Sequence, residues 1–137
     1  MNTSSIGFPN LFDVSRNRVA TMTDNASVAN RVKLLLMTEP TELYMNPTYG
    51  VGLKRFMFQY NNDNVLAQIK DRLIEQLRLW EPCVDAEKTS VVRGLAYSGD
   101  GQVRSATENN RLDITVTVYT IYGTQLDITV NGDQITF

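Results

Sequence analysis

A chain of 137 residues that is 42% apolar and 20% charged has the size and composition of one folded domain around a single hydrophobic core. Its net charge of −2 comes from interspersed acids and bases, which excludes the basic footprint of a nucleic-acid binder. Histidine is absent, which removes the commonest general base and the commonest metal ligand, and the one cysteine leaves no internal disulfide to form.

No apolar run approaches the roughly 20 residues that a bilayer-spanning helix needs. The opening MNTSSIGFPNLF has no charged start followed by an apolar stretch, so no secretory signal is expected. Residues 1–24 are rich in Ser, Thr and Asn and read as an arm packed along the body, with at most short strands. Residues 25–137 read as a single domain.

Asp24, Asn25 or Ser27 can cap a first helix, since a short side-chain oxygen accepts from free backbone N–H groups. Val28, Val32, Leu35 and Leu36 follow at the spacing of one buried stripe, with Arg31 and Lys33 off it, and Pro40 ends the pattern. Residues 38–62 hold two prolines and two glycines among aromatics. They predict a long structured connection, with a short helix over Leu53–Phe58. Asn62 or Asp63 caps a second helix, whose stripe is Leu66, Ile69, Leu73, Leu77 and Trp80, halted by Pro82.

Beyond Pro82 the period changes from 3.6 to 2. Strands are predicted over Val84–Lys88 and Val91–Tyr97. In a third, Leu112, Ile114, Val116 and Val118 alternate with Asp113, Thr115, Thr117 and Tyr119. Leu126, Ile128 and Val130 repeat the alternation. Asn131-Gly132 then signals a hairpin leading to Ile135 and Phe137. Residues 98–111 read as a polar hairpin excursion. Helices first and strands afterwards predict an α+β domain, two main helices packed on a C-terminal antiparallel sheet.

Glu39, Glu42, Glu81 and Asp85 are the acids from which a pair could be drawn for glycosidic-bond cleavage, against the bland reading that they are solvated. Cys83 has no histidine to activate it and reads as a small half-buried residue. The one Gly-rich stretch, GVGLKR, lacks the strand–glycine–helix context of a phosphate loop. No cofactor, metal or small-molecule substrate is expected. Glu81 stands apart. It lies at the negative end of a helix dipole, at a corner fixed by Pro82, where a carboxylate is unfavourable unless a cation from this chain or another meets it. The last strands carry few charges, and an open edge there invites strand addition by another chain; the N-terminal arm is the alternative cover.

RVKLLLMTEPTELYMNPTYGVGLKRFMF, followed by a capped helix ending in LWEPCV, resembles the baseplate wedge or sheath-initiator proteins of contractile phage tails and their type VI secretion counterparts. The family pattern is Leu-Leu-x-Thr, Gly-Glu-Arg, Pro-x-(Phe or Tyr)-Gly-x-x-Leu and Glu-Pro-Arg. Leu35, Leu36 and Thr38 match the first element and Glu42 the second. Pro47, Tyr49, Gly50 and Leu53 match the third, and Glu81 and Pro82 the fourth. Thr41 stands at the pattern's glycine, and Leu43 and Cys83 stand at its two arginines.

The resemblance implies a structural, non-enzymatic baseplate component of the virion, assembled in the bacterial host cytoplasm. Its implied partners are the wedge core bundle, the tail sheath protein and the tail tube, in six copies per baseplate, with no nucleic acid or membrane involved. The wedge core would be gripped through Glu42, Pro47, Tyr49, Gly50, Trp80, Glu81 and Pro82. Sheath strands would be received at Thr115, Thr117, Tyr119, Leu126, Ile128, Val130, Ile135 and Phe137, templating sheath polymerisation. The rival functions are an acid-dependent cell-wall muramidase and a type VI secretion baseplate subunit.

Overall fold

The computed structural model describes residues 6, 12–15, 18–19, 24–57, 59, 62–97, 103–105 and 113–131. Two short strands, β1 (Phe12–Asp13) and β2 (Arg18–Val19), pair antiparallel. Helix α1 spans Asp24–Met37 and buries Ser27, Val28, Val32, Leu35 and Leu36, the predicted stripe with one serine added. A single turn, α2 (Lys54–Met57), lies inside the predicted short helix. Helix α3 spans Asp63–Trp80, 18 residues and about 27 Å long. Asn62 is its cap, the side-chain oxygen accepting from the Val65 N–H at 3.0 Å.

The buried row of α3 differs from expectation at both ends. It starts at Val65 rather than Leu66, which is only half-buried, and it passes through Gln76 before reaching Leu77. Trp80 remains 38% exposed. An ideal helix turns 100° per residue, so Val65 and Gln76 lie to one side of the predicted row, and the packed face is centred nearer Ile69 than Leu66.

The main sheet has three antiparallel strands in the order β3 (Val84–Arg93), β6 (Ile114–Thr120), β7 (Gln125–Val130). The strand predicted over Val84–Lys88 and the first part of the one predicted over Val91–Tyr97 join into the long β3, because a bulge hides its period. Register shifts between Asp85 and Ser90, and the buried positions Val84, Ala86 and Thr89 step by two and then three. The end of the second predicted strand is a separate element, β4 (Leu95–Tyr97), which pairs antiparallel with β5 (Val103–Ser105), and only β5 lies within the predicted excursion. The turn Ile121–Thr124 closes β6 onto β7. Residues 132–137, where a last strand is predicted, lie outside the described residues.

Both long helices cover one face of this sheet, α3 along β3 and α1 along β7, and they also touch each other. Their buried rows meet Val84, Ala86, Ile114, Val116, Val118, Ile128 and Val130 in one core, with Val51, Leu53 and Phe56 from the connection. The domain is α+β, as its periodicities predict. Leu73 is fully buried at the middle of α3. Leu73→Ala should cost about 3 kcal/mol and lower the urea midpoint, whereas Leu66→Ala on the half-buried flank should cost less than half of that.

Candidate functional site

The connection between α1 and α3 is built from backbone groups that α1 leaves unmet. A helix end exposes four carbonyls. Here the Val51 N–H donates to the Leu35 carbonyl at 3.0 Å and the Gly52 N–H to the Thr38 carbonyl at 3.1 Å. Such close approach allows no side chain at residue 50. A Cβ on Gly50 would lie 2.2 Å from the Thr38 oxygen, and its φ of +107° is left-handed as well. The Gly50 N–H donates instead to Oε1 of Gln76, 2.9 Å away, whose Nε2 donates to the Thr48 carbonyl at 3.0 Å. Gln76 thus clamps both sides of Tyr49. Its signal in the sequence is a polar residue inside an apolar row, three after Leu73.

Glu39 acts as a cap for α2, its Oε1 accepting from the Lys54 N–H at 2.9 Å. Oε2 of Glu42 accepts from the Glu39 N–H at 3.0 Å, and the Pro47 carbonyl accepts from the Thr41 N–H at 2.9 Å. Both Glu42 and Pro47 are exposed. Tyr49 is half-buried and meets Trp80 edge to face, ring centres 5.4 Å apart at 72°. Burial, and then the nearby Glu81 charge, hold its phenol above the ordinary tyrosine pKa.

The cation that meets Glu81 comes from the same chain. Nε of Arg31 donates to Oε2 at 2.9 Å and Nη2 to Oε1 at 2.9 Å, while Nη1 reaches the Ser27 hydroxyl at 3.0 Å. The carboxylate is almost fully buried and the guanidinium about one-third exposed. The hydrogen bonds to Glu81 raise the Arg31 pKa further, against the opposing effect of its partial burial. Glu81 closes α3 through its own N–H, bonded to the Leu77 carbonyl at 3.0 Å. The corner that Pro82 turns is therefore rigid, with its acid turned inward and Leu79, Trp80 and Pro82 exposed around it.

Beside this corner runs an open groove of about 370 Å³, floored by Leu77, Pro82, Val84, Ala86 and Ile121 and rimmed by Arg78, Asp85 and Glu87. Arg78 pairs with Glu87 across the rim, an exposed contact of small worth, and Asp85 with Lys88 at 3.2 Å. Half-buried Cys83 accepts through its carbonyl from the Ile121 N–H at 3.0 Å, tying the β6–β7 turn to the corner. All four candidate acids thus make contacts that serve the fold. Among the described residues, no cluster of three or more metal-ligating side chains occurs, and no helix is long and apolar enough to cross a membrane.

The strand-acceptor candidates divide by position. Thr115, Thr117 and Tyr119 belong to β6, the central strand, whose two backbone rows are both used within the sheet. They present side chains on the face away from the helices, where Thr117 bonds to Asp127 at 2.7 Å and Tyr119 to Gln125 at 3.2 Å. Leu126, Ile128 and Val130 belong to β7, which pairs only with β6 among the described residues. Ile135 and Phe137 lie outside them.

The family model of baseplate wedge protein gp25 matches residues 22–125. This chain belongs to that family. The wedge protein is a baseplate component, associated with a tail, and its partners are other baseplate components. Its fold is similar to that of a chain in the cryo-EM structure of the anti-feeding prophage baseplate, 6-fold symmetrised. The TM-score is 0.61 at 25% identity, covering 86% of this chain and 85% of that one. A protein provisionally assigned as a tail lysozyme from Geobacter sulfurreducens shares the fold at TM-score 0.57 and 20% identity, covering 83% of this chain and 94% of that one. At that identity the second likeness concerns the fold alone. No curated protein matches the wedge protein significantly.

The family pattern gains a physical reading at one of its departures. Thr41, at the pattern's glycine, holds φ at +78°. A β-branched residue in that region carries strain of about 1–2 kcal/mol. Thr41→Gly should therefore stabilise the protein by about 1 kcal/mol, seen as a higher denaturation midpoint. Arg31→Ala should leave the Glu81 carboxylate buried and unpaired. It should cost about 2 kcal/mol, less than for a fully buried pair because water screens the exposed third of Arg31.

Proposed function

We propose that this wedge protein is a non-enzymatic adaptor. It docks on the wedge core through the 42–50 connection and the Trp80–Pro82 corner, and it receives a strand of the sheath protein on the β7 side of its sheet. The observation that carries the second half is the outer backbone row of β7, which has no partner among the described residues. A strand seated there gains main-chain hydrogen bonds, while alternating side chains fix its register. The site has room for it. A groove of about 310 Å³ separates β7 from α1, lined by Ala26, Ala29, Lys33, Asp127, Ile128 and Thr129, and the two alanines keep its helical wall low. The segment beyond Asn131, carrying Ile135 and Phe137, completes the acceptor in this reading.

At the corner, Glu81 contributes by position. Its charge is committed to Arg31, so a neighbour meets the exposed Trp80 and Pro82 with the groove beside them. Six copies would ring the tail tube, a reading supported by the six-fold symmetry applied to the similar prophage baseplate. Assembly would take place in the host cytoplasm before the tail is complete. The absence of turnover is supported by the four acids, each engaged with Arg31, Lys88 or a backbone N–H.

Truncating residues 131–137 should abolish sheath nucleation in a reconstituted baseplate while leaving wedge incorporation intact; normal sheath growth would refute the part of that segment in the acceptor and leave β7 alone as the proposed edge. Pro82→Ala should weaken wedge binding while costing only about 1 kcal/mol of stability. Unchanged binding would refute the corner. Purified wild-type protein should leave peptidoglycan intact, and cleavage lost on Glu42→Gln or Glu81→Gln would establish the muramidase instead.

A further inference from the structure

Between Glu39 and Gly50 the chain makes a loop whose polar groups bond to one another and whose apolar groups face water. Its neck is closed by the Thr41–Pro47 backbone bond, and its far end by the Asn46 N–H donating to the Leu43 carbonyl at 3.2 Å. At the tip Tyr44 is 89% and Met45 82% exposed, with Leu43 partly exposed beside them. Two non-glycine residues of this loop hold positive φ, Thr41 at +78° and Met45 at +66°. A shape held against local preference, in a segment that leaves large apolar side chains in water, points to a contact made elsewhere.

We propose that the Leu43–Tyr44–Met45 tip is an apolar anchor that inserts into a hydrophobic pocket of another baseplate protein. The inference deepens the docking role proposed above and rests on it. Two observations choose this occupant. The tip is continuous with the corner, since the Tyr49 N–H donates to the Asn46 carbonyl at 3.1 Å and the Tyr49 ring packs on Trp80. No lysine or arginine occurs from residue 34 to residue 53, and Glu39 and Glu42 flank the tip, so an anionic lipid surface would repel it. Tyr and Met are also well suited to anchoring, one rigid and broad, the other adaptable in shape.

The test uses the full chain and, as probe, the other purified wedge proteins of the same baseplate, with affinity measured by calorimetry at low and at high salt. Tyr44→Ser should leave the thermal midpoint unchanged and weaken binding roughly tenfold or more. Met45→Gly should raise the thermal midpoint, by releasing the positive φ, and still weaken binding. That opposition separates an anchor from a residue that merely supports the fold. Wild-type affinity should change little with salt, as burial of apolar surface predicts. Wild-type affinity from both variants would overturn the inference, as would steep salt dependence, or tip substitutions that only dissolve a self-associated form of the protein. If Pro82→Ala weakens binding and the tip variants do not, the docking role stands without the anchor. If the wild type does not bind the wedge proteins, both fall.

Discussion

The fork of Arg31 on the Glu81 carboxylate fixes the place where the chain passes from helix to sheet, and the proposed docking surface depends on it. Pro82 ends α3 by removing a donor and constraining the residue before it. That alone would leave a carboxylate at the negative end of a helix dipole. Two parallel hydrogen bonds of 2.9 Å from a neighbouring helix offset the penalty, and their planar geometry orients the group as a point charge could not. The same contact ties the middle of α1 to the end of α3. The helices are thus aligned by the pair whose position also holds Trp80 and Pro82 outward.

A second constraint acts on the connection between the helices. Its backbone lies so close to the end of α1 that Gly50 admits no side chain, and Gln76 fixes its far side through both ends of one amide. A buried amide that satisfies a donor and an acceptor is costly to replace with an apolar residue, because two backbone groups would lose their partners. Rigidity at this base is what permits strain further out. Thr41 and Met45 keep left-handed conformations only because the surrounding bonds leave no other path for the loop.

Periodicity made the α+β plan, both long helices and β6 and β7 legible, since those elements bury one face against one neighbour. It failed where two partners compete or where the period is interrupted. In β3 the register shift between Asp85 and Ser90 breaks the alternation, so one strand read as two. In α3 the apolar spacing made Leu66 look central, although Val65 is the residue buried in that turn. At the site, local order marked the corner but not its partner. Arg31 and Glu81 are fifty residues apart, and nothing in α1 separates a paired arginine from a solvated one. Ser27 and Arg31 at helical spacing gave only a weak hint. Gln76 was visible in principle, as a polar residue in an apolar row.

The two ends of the molecule offer different kinds of contact. At the corner, backbone groups are satisfied and charges paired within the chain, leaving shape and exposed apolar surface as what a partner can recognise. At β7 the reverse holds. The strand is short, six residues, and its core-facing side chains are already covered. Its recognisable feature is a row of main-chain groups without a partner among the described residues, which any sequence of compatible alternation can fill. A surface read by shape favours one partner, and a surface read by backbone favours a repeated one. That division suits the proposed adaptor between a specific wedge and a polymer, and it follows from where the chain places its own polar groups.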